Sequence, residues 1–379
     1  MSLYPKAAEK TQEAALPEAE AASIQKTADG FVMENGLVSA RINGQGEVVS
    51  FRLKTGNGTA DGLSREYAAG PMNRMRLFKD VPRKFDAWDI DSNYVCQEIE
   101  GACEVAVEPV EEGLEAVLKV TGRISQSAYT QYIRLAADSR RLEFETIIDW
   151  KELHRLLKTS FPVNVYAENG INEIQFGYVE RPAHRSRPYD QERFEVCNHH
   201  YSAFRDANGG AAVLNDCKYG ISMNENSLEL TLLRASAAPE MRADNKVHHF
   251  TYAFTAWEGS FMDSDVVRQG YELNVKPYLA SRSGQDFSML SIDRANIILD
   301  TMKPAEDGSG DIILRLYESK KAATSASVQL SRKLLTAGSS VYACDMLENV
   351  TEELSVSDGA LALSFHPFEI RTIRIAGPR

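Results

Sequence analysis

Along most of this chain, large apolar residues recur at every second position, a period that suits a half-buried strand and not a helix. Leu142, Phe144, Thr146, Ile148 and Trp150 alternate with Glu143, Glu145, Ile147 and Asp149, and Leu228, Leu230 and Leu232 alternate with Glu229 and Thr231. Successive side chains of a strand point to opposite faces, so each run buries one face and leaves the other wet. Similar runs occur at Phe31 to Val38, Ala40 to Val49, Glu115 to Val120, Tyr129 to Leu135, Ile171 to Phe176, Ala211 to Leu214 and His249 to Phe254. Helical periodicity is scarce, and Asp263 to Tyr271 is its best candidate. Strands that follow one another over about 250 residues without interleaved helices predict antiparallel sheets packed face to face, an all-β fold built on a large sandwich.

The stretch Ser281 to Gln285 reads as a boundary. After it, strand-like runs at Ile297 to Leu299, Ile312 to Leu316, Val341 to Cys344, Leu361 to Phe365 and Ile370 to Ile375, with a turn-rich Glu306 to Gly310 between them, predict a second, smaller β-sandwich. The expected division is a large sandwich over 30–280 and a small one over 286–379. Residues 1–29 read as a tether, because Ser2 to Gln25 is rich in Ala and Glu, carries Pro5 and Pro17, and holds few large apolar residues. Nothing in it starts a globular domain, so the natural protein is expected to continue upstream.

With 379 residues, 43% of them hydrophobic, the chain can bury a large core and build two or three domains. Its net charge of -12 repels phosphate backbones and anionic lipid, which excludes nucleic acid and membrane surfaces as partners. No apolar run approaches the ~20 residues of a bilayer crossing, and no basic patch with an apolar stretch opens the chain. Cys96, Cys103, Cys197, Cys217 and Cys344 form an odd set without a CxxC pair, which argues for a reducing, cytoplasmic setting over a disulfide scaffold or a zinc ribbon.

Three clusters could carry chemistry. In Phe85-Asp86-Ala87-Trp88-Asp89-Ile90-Asp91, three carboxylates bracket an indole, a pairing suited to sugar hydroxyls and to the C–H face of a pyranose. The same residues also suit a turn whose aspartates accept backbone amides around a core Trp88. The second cluster holds Glu180, Arg181, His184 and Arg185, then Glu195, Cys197, His199 and His200. A general acid or base is one reading; a Glu180/Arg181 ion pair beside strand-end histidines is the other. A metal site at Cys197, His199 and His200 is poorly supported, since adjacent histidines of a strand face opposite ways. The third cluster joins Asp216, Cys217 and Lys218 to Arg234, Asp244, His248 and His249. Arg234 ends a strand, where its guanidinium could reach a substrate hydroxyl or a carboxylate such as Asp244, or pin a loop. The chain has no phosphate loop, HExxH, GxSxG or dinucleotide fingerprint, and no nominated pair of glycosidase carboxylates.

In order along the chain stand Asp86-Ala87-Trp88-Asp89-Ile90-Asp91, Ile148-Asp149-Trp150 with His154-x-x-Leu157-Lys158, Phe161-Pro162-Val163, Gln175-Phe176-Gly177, Glu180-Arg181-Pro182, Arg193-Phe194-Glu195-Val196, Leu214-Asn215-Asp216-Cys217-Lys218-Tyr219-Gly220, Leu232-Leu233-Arg234, His249-Phe250-Thr251-Tyr252-Ala253 and Pro367-Phe368-Glu369-Ile370. Together they resemble the C-terminal β-rich half of glycoside hydrolase family 38 α-mannosidases, over essentially everything after residue 30. The resemblance implies a large antiparallel supersandwich of the galactose-mutarotase type followed by a smaller β-sandwich. It also implies that zinc, the aspartate nucleophile and the acid/base carboxylate belong to an N-terminal barrel absent from this chain. No catalytic residue and no metal ligand is then expected here, since His199-His200 is followed by Tyr201 where the family's His-His-Asp motif would need an aspartate. On this reading Met1-Ser2-Leu3 is an artificial start, the partners are the chain's own catalytic barrel and a mannoside, and the uncovered barrel-facing surface favours self-association.

In the family this half lends an arginine and aromatic contacts to the sugar site. Arg234 is the first candidate for the arginine, then Trp88 with Asp86, Asp89 and Asp91; Asp244, Arg181 and His184 complete the expected substrate-binding set. Two other functions stay open at this point. One is a freestanding aldose epimerase using His184 with Glu195; the other is a carbohydrate-binding or scaffolding module without a catalytic share.

Overall fold

The alternation in the sequence is what the strands bury. The computed structural model describes residues 21–54, 62–99, 101–277 and 287–377. In it Leu142, Phe144, Thr146, Ile148 and Trp150 are buried, while Glu143, Glu145, Ile147 and Asp149 are half-buried on the other face. Leu228, Leu230 and Leu232 behave in the same way.

Three antiparallel sheets share the main core. A meander of four strands, Ser23–Lys26, Gly30–Glu34, Val38–Asn43 and Val48–Leu53, forms the first. The second has nine strands in the spatial order Gly177–Pro182, Asn169–Ile174, Tyr201–Asp206, Gly209–Asn215, Val247–Glu258, Leu142–Asp149, Ser127–Ala136, Glu115–Ile124 and Ala102–Glu111. The third has six: Val196–Cys197, Gly220–Asn224, Ser227–Arg234, Arg155–Pro162, Arg74–Lys79 and Glu98–Ile99. The sheets meet through aromatic rings. Phe161 of the six-stranded sheet stacks on Phe254 of the nine-stranded sheet at 5.6 Å, and Phe254 meets Phe51 of the meander edge-on at 4.9 Å. Phe144 stacks on Tyr252 at 5.2 Å beside them. Each such pair contributes about 1 kcal/mol beyond the area it buries.

The other face of the nine-stranded sheet is covered in part by the helix Val266–Asn274, whose Val266, Val267 and Leu273 pack on Tyr201, Ala212, Leu214, Ala253 and Trp257. The small sandwich pairs a four-stranded sheet, Leu290–Ile292, Thr324–Leu330, Ala360–Phe365 and Val356–Ser357, with a five-stranded one, Ile297–Pro304, Ile312–Glu318, Ile370–Ala376, Ser340–Cys344 and Val350–Leu354. It has a core of its own. It docks on the large one through Phe368, which meets Tyr178 edge-on at 5.1 Å, and Tyr317, which meets Phe176 at 5.5 Å. Lys320 reaches across to donate to the carbonyls of Met262 and Ser264, and burial pushes its amine down to about 8.

The expected and observed elements differ in instructive places. Ser23–Lys26, placed in the tether by sequence, is an edge strand on Gly30–Glu34; with one apolar residue it is held by backbone pairing, which leaves little trace in the sequence. The helix begins at Val266, not Asp263, because Phe261–Asp263 form a separate 3-10 turn closed by a Ser260–Asp263 capping box. Arg74–Lys79 and Arg155–Pro162 escaped the alternation test; most residues of the latter are buried on both faces, so no polar half shows. The Ser281 to Gln285 boundary lies outside the described residues.

Removing the main docking ring should separate the two sandwiches thermally. Phe368→Ala is expected to cost about 2 kcal/mol, less than a full core Phe→Ala because the ring is only half-buried, and to split the calorimetric unfolding into two transitions. One transition at an unchanged midpoint would show that the ring does not couple the units.

Candidate functional site

The strand Arg74–Lys79 runs into Asp80, and the chain then forms a loop over 81–91 before the 3-10 turn Ser92–Cys96. Register brings a guanidinium to that loop. On either side of the strand Arg155–Pro162, Leu156 pairs with Phe78 and with Arg234, so the end of Ser227–Arg234 lies one strand away from the loop's root. Arg234 donates Nε to Asp80 Oδ2 at 2.7 Å. Its Nη2 donates to the carbonyls of Asp89 at 2.6 Å and Asp86 at 3.1 Å, and Nη1 to that of Ala87 at 3.4 Å. A planar fork with five donors suits this task, and a lysine would not span it. The carboxylate partner of Arg234 is therefore Asp80; the anticipated Asp244 stands instead near Lys218, with its carbonyl accepting from His248 at 2.7 Å.

Asp86 is a second pin. Its Oδ2 accepts from the Ala237 amide at 2.7 Å and the Ala238 amide at 3.0 Å and lies 3.2 Å from His154 Nε2. Burial pushes this carboxyl up, but the Ala237 amide, His154 and the Ala238 amide outweigh burial and hold it below its ordinary range. Asp91 accepts from the Arg83 amide, Asp89 accepts from the Ile90 amide, and the amides of Trp88 and Asp89 both donate to the Phe85 carbonyl. The aspartates thus satisfy backbone amides, as the turn reading expects. Trp88 is not core, however: with its backbone turned over Phe85, it stands 74% exposed, beside Phe85 at 69%.

Beneath the loop, the outer face of the six-stranded sheet is sealed by Phe78, Tyr94 and Leu156 with Ile90 and Phe194. Lys158 lies in this layer with its side chain wholly buried. Its Nζ donates to Glu195 at 2.5 Å and to Thr231 at 3.1 Å, the Thr231 hydroxyl donates to Glu195, and the Tyr94 hydroxyl donates to Glu195 at 3.3 Å. Burial alone would lower the Lys158 amine, yet the carboxylate of Glu195 and the neighbouring Tyr94 hold it above its ordinary value.

The remaining candidates point elsewhere. Arg181 donates to Asn172 at 2.6 Å and to the Cys197 carbonyl, while Glu180 pairs with Arg205 at 3.3 Å. The expected Glu180/Arg181 pair does not form, because neighbours on the strand Gly177–Pro182 face opposite sides. His184 accepts from the Ser186 amide and lies 3.9 Å from Asp190, and Glu195 is held by Lys158 and Thr231. His200 faces Glu173 at 3.2 Å and the His199 ring lies against Tyr219. Among the described residues no three His, Cys, Asp or Glu side chains converge as metal ligands, so these donors do not fit a zinc ion. Burial and the neighbouring Asp216 push the Cys217 thiol up to about 11, a poor setting for a nucleophile.

Sequence reasoning missed Asp80, and it quoted His154 and Lys158 as family residues without a role. The strand end at Lys79-Asp80 and a charged Lys158 amid apolar neighbours were the available signals.

Loss of the guanidinium should free the loop. In Arg234→Ala, hydrogen-exchange protection of the Trp88 and Asp89 amides should fall at least about tenfold, as expected for losing charge-assisted bonds. Because the Asp86 carboxyl is depressed in the folded state, its contribution is present above the ordinary carboxylate pKa of about 3.9 and is lost as pH falls through the lower folded value. Protection should therefore be the same at neutral pH and in mild acid, and drop only in stronger acid; a decline already at mild acid would contradict the Asp86 pin.

Comparison with known proteins places this arrangement in a family. Residues 33–242 match the glycosyl hydrolases family 38 C-terminal domain, and residues 296–373 match the glycosyl hydrolases family 38 C-terminal beta sandwich domain. Human alpha-mannosidase 2C1 is 31% identical over 94% of this chain, and alpha-mannosidase G of Dictyostelium discoideum 32% identical over 91%. The chain spans only 35% and 32% of their respective lengths, about a third. The crystal structure of an alpha-mannosidase from Enterococcus faecalis V583 superposes with a TM-score of 0.72 at 15% identity, over 95% of this chain and 42% of that one, which shows the fold. Two consecutive family segments filling both sandwiches show that this chain belongs to glycosyl hydrolase family 38, as its C-terminal β region.

Proposed function

We propose that the chain is the C-terminal region of a retaining α-mannosidase whose nucleophile, acid/base carboxylate and zinc ligands lie in an N-terminal catalytic domain of the longer protein. The observation that carries this reading is the ordered pair of C-terminal family segments in a chain about a third as long as the α-mannosidases it resembles. The substrate is then an α-mannoside, the enzyme serves mannose metabolism, and this region alone is inactive. All five cysteines are free, which supports a reducing compartment and a cytoplasmic location.

The region's share in the work is to shape the sugar site. The loop over 81–91 presents Trp88, with Phe85 beside it, as a platform for the C–H face of a pyranose. Arg234 and Asp86 act through the loop as positioning residues, since their bonds go to loop backbone and to Asp80, Ala237 and Ala238. Holding the platform in place before the sugar arrives reduces the ordering cost of binding. A freestanding epimerase fits less well, because Glu195 is committed to Lys158 and Thr231.

In the full-length enzyme, Trp88→Ala should raise KM for an aryl α-mannoside about fivefold, with a smaller change in kcat and recovery in Trp88→Phe. If KM and kcat both stay unchanged, the loop does not touch substrate, and the region is a scaffold only.

A further inference from the structure

On the strand Ser127–Ala136 the residues facing the core run Ser127, Tyr129, Gln131, Ile133 and Leu135. One end of this inner face is apolar and the other polar. The polar end opens into a cavity of about 260 Å³ between the meander, the strand Arg74–Lys79 and the edge of the nine-stranded sheet, lined by Gly46, Glu47, Asn73, Arg74, Tyr129 and Gln131 among others. Polar side chains inside a sandwich are costly unless their bonds are made, and the floor of this cavity makes them. Asn73 donates to Gln131 at 2.7 Å and to the Gly46 carbonyl at 3.0 Å, and accepts from Tyr252 at 2.7 Å. Gln131 donates to Thr146 and to Tyr252, both at 2.9 Å.

The walls are different. Tyr129 is only 5% exposed, yet its hydroxyl has no hydrogen-bond partner among the described residues. Burial, with Cys103 and Glu47 nearby, pushes the phenol up to about 12, so it stays protonated at neutral pH. Glu47 accepts from Asn43 with one oxygen and has the other free, and the Arg74 guanidinium has no hydrogen-bond partner among the described residues. One acid and one base cancel in charge. What remains is a donor-acceptor hydroxyl, an acceptor and a forked donor around a small polar space with an organised floor.

We propose that this cavity binds a neutral, polyhydroxylated small molecule of about monosaccharide size. Hydroxyls both donate and accept, which matches an uncommitted phenol, carboxylate and guanidinium together, and a neutral ligand matches the cancelled charge. The site lies at the opposite end of the strand Arg74–Lys79 from the Trp88 loop, so it is a second sugar-type site and not an extension of the first.

The test is titration of the full chain with D-mannose, D-glucose and glycerol, followed by ligand-observed NMR. Saturable binding of at least one probe is expected, weakened about fivefold in Tyr129→Phe, in line with one lost hydrogen bond, with a saturable component that persists in Trp88→Ala. Since the Tyr129 hydroxyl bonds no protein group, Tyr129→Phe should leave Tm unaltered; Glu47→Gln tests the opposite wall in the same way if it does not. Absence of saturable binding, binding indifferent to both wall variants, or binding abolished by Trp88→Ala would each overturn the proposal.

Discussion

Five aromatic rings fix how three sheets share one core. Phe161 stacked on Phe254 ties the six-stranded sheet to the nine-stranded one, Phe51 edge-on to Phe254 ties the meander to it, and Phe144 on Tyr252 braces the nine-stranded sheet from within. Strand geometry then settles what lies outside. If Phe161 points inward, so do Thr159 and Leu157, and Leu156, Lys158 and Ser160 must point outward. That outward layer contains a charged amine with no access to water, which requires both a carboxylate and a lid. Glu195 is the carboxylate, and Tyr94, from the turn that follows the loop over 81–91, is part of the lid. Breaking a buried pair of this kind on one side is generally far more damaging than replacing both partners together.

The aromatic loop follows from that arrangement. Its far end is tied down by the turn that covers Lys158, and its near end by Asp80, which Arg234 holds. Between them, backbone carbonyls that would otherwise need water bond to one guanidinium, and one carboxylate bonds to two amides of the segment after Arg234. An exposed Trp and Phe on a mobile loop would be unremarkable surface; on a loop pinned from two sides they form a fixed apolar tip, the kind of feature that marks a contact with a ligand or another domain. The exposed aromatic pair and the buried ion pair are therefore two sides of one construction.

Much of this was legible in the sequence where one face of a strand stayed wet. Leu142 to Trp150 and Leu228 to Leu232 show their register directly. Where both faces are covered, as along Arg155–Pro162, alternation disappears and the strand is invisible to it. The edge strand Ser23–Lys26 is equally silent because its stability comes from backbone bonds. At the site, the cluster around Trp88 and the importance of Arg234 could be read from composition and strand position. Their partners could not: Asp80 and Asp244 are both acidic residues within plausible reach in sequence terms, and only the pairing of Leu156 with both Phe78 and Arg234 decides for Asp80. The exposure of Trp88 was likewise undecidable, since the same aspartates satisfy the same amides whether the indole points in or out.

Family membership and geometry together support the proposal that this region positions a sugar site whose chemistry lies elsewhere. The chain supplies a large sandwich, an anchored aromatic tip and a second sandwich docked at Phe176 and Tyr178, and among the described residues no three His, Cys, Asp or Glu side chains come together as metal ligands. The most direct measurement is hydrolysis of an aryl α-mannoside by this chain alone, with zinc supplied. No turnover above the buffer blank is predicted, and steady zinc-dependent release of the aryl alcohol, proportional to the amount of chain, would contradict the assignment of the chemistry to a separate catalytic domain.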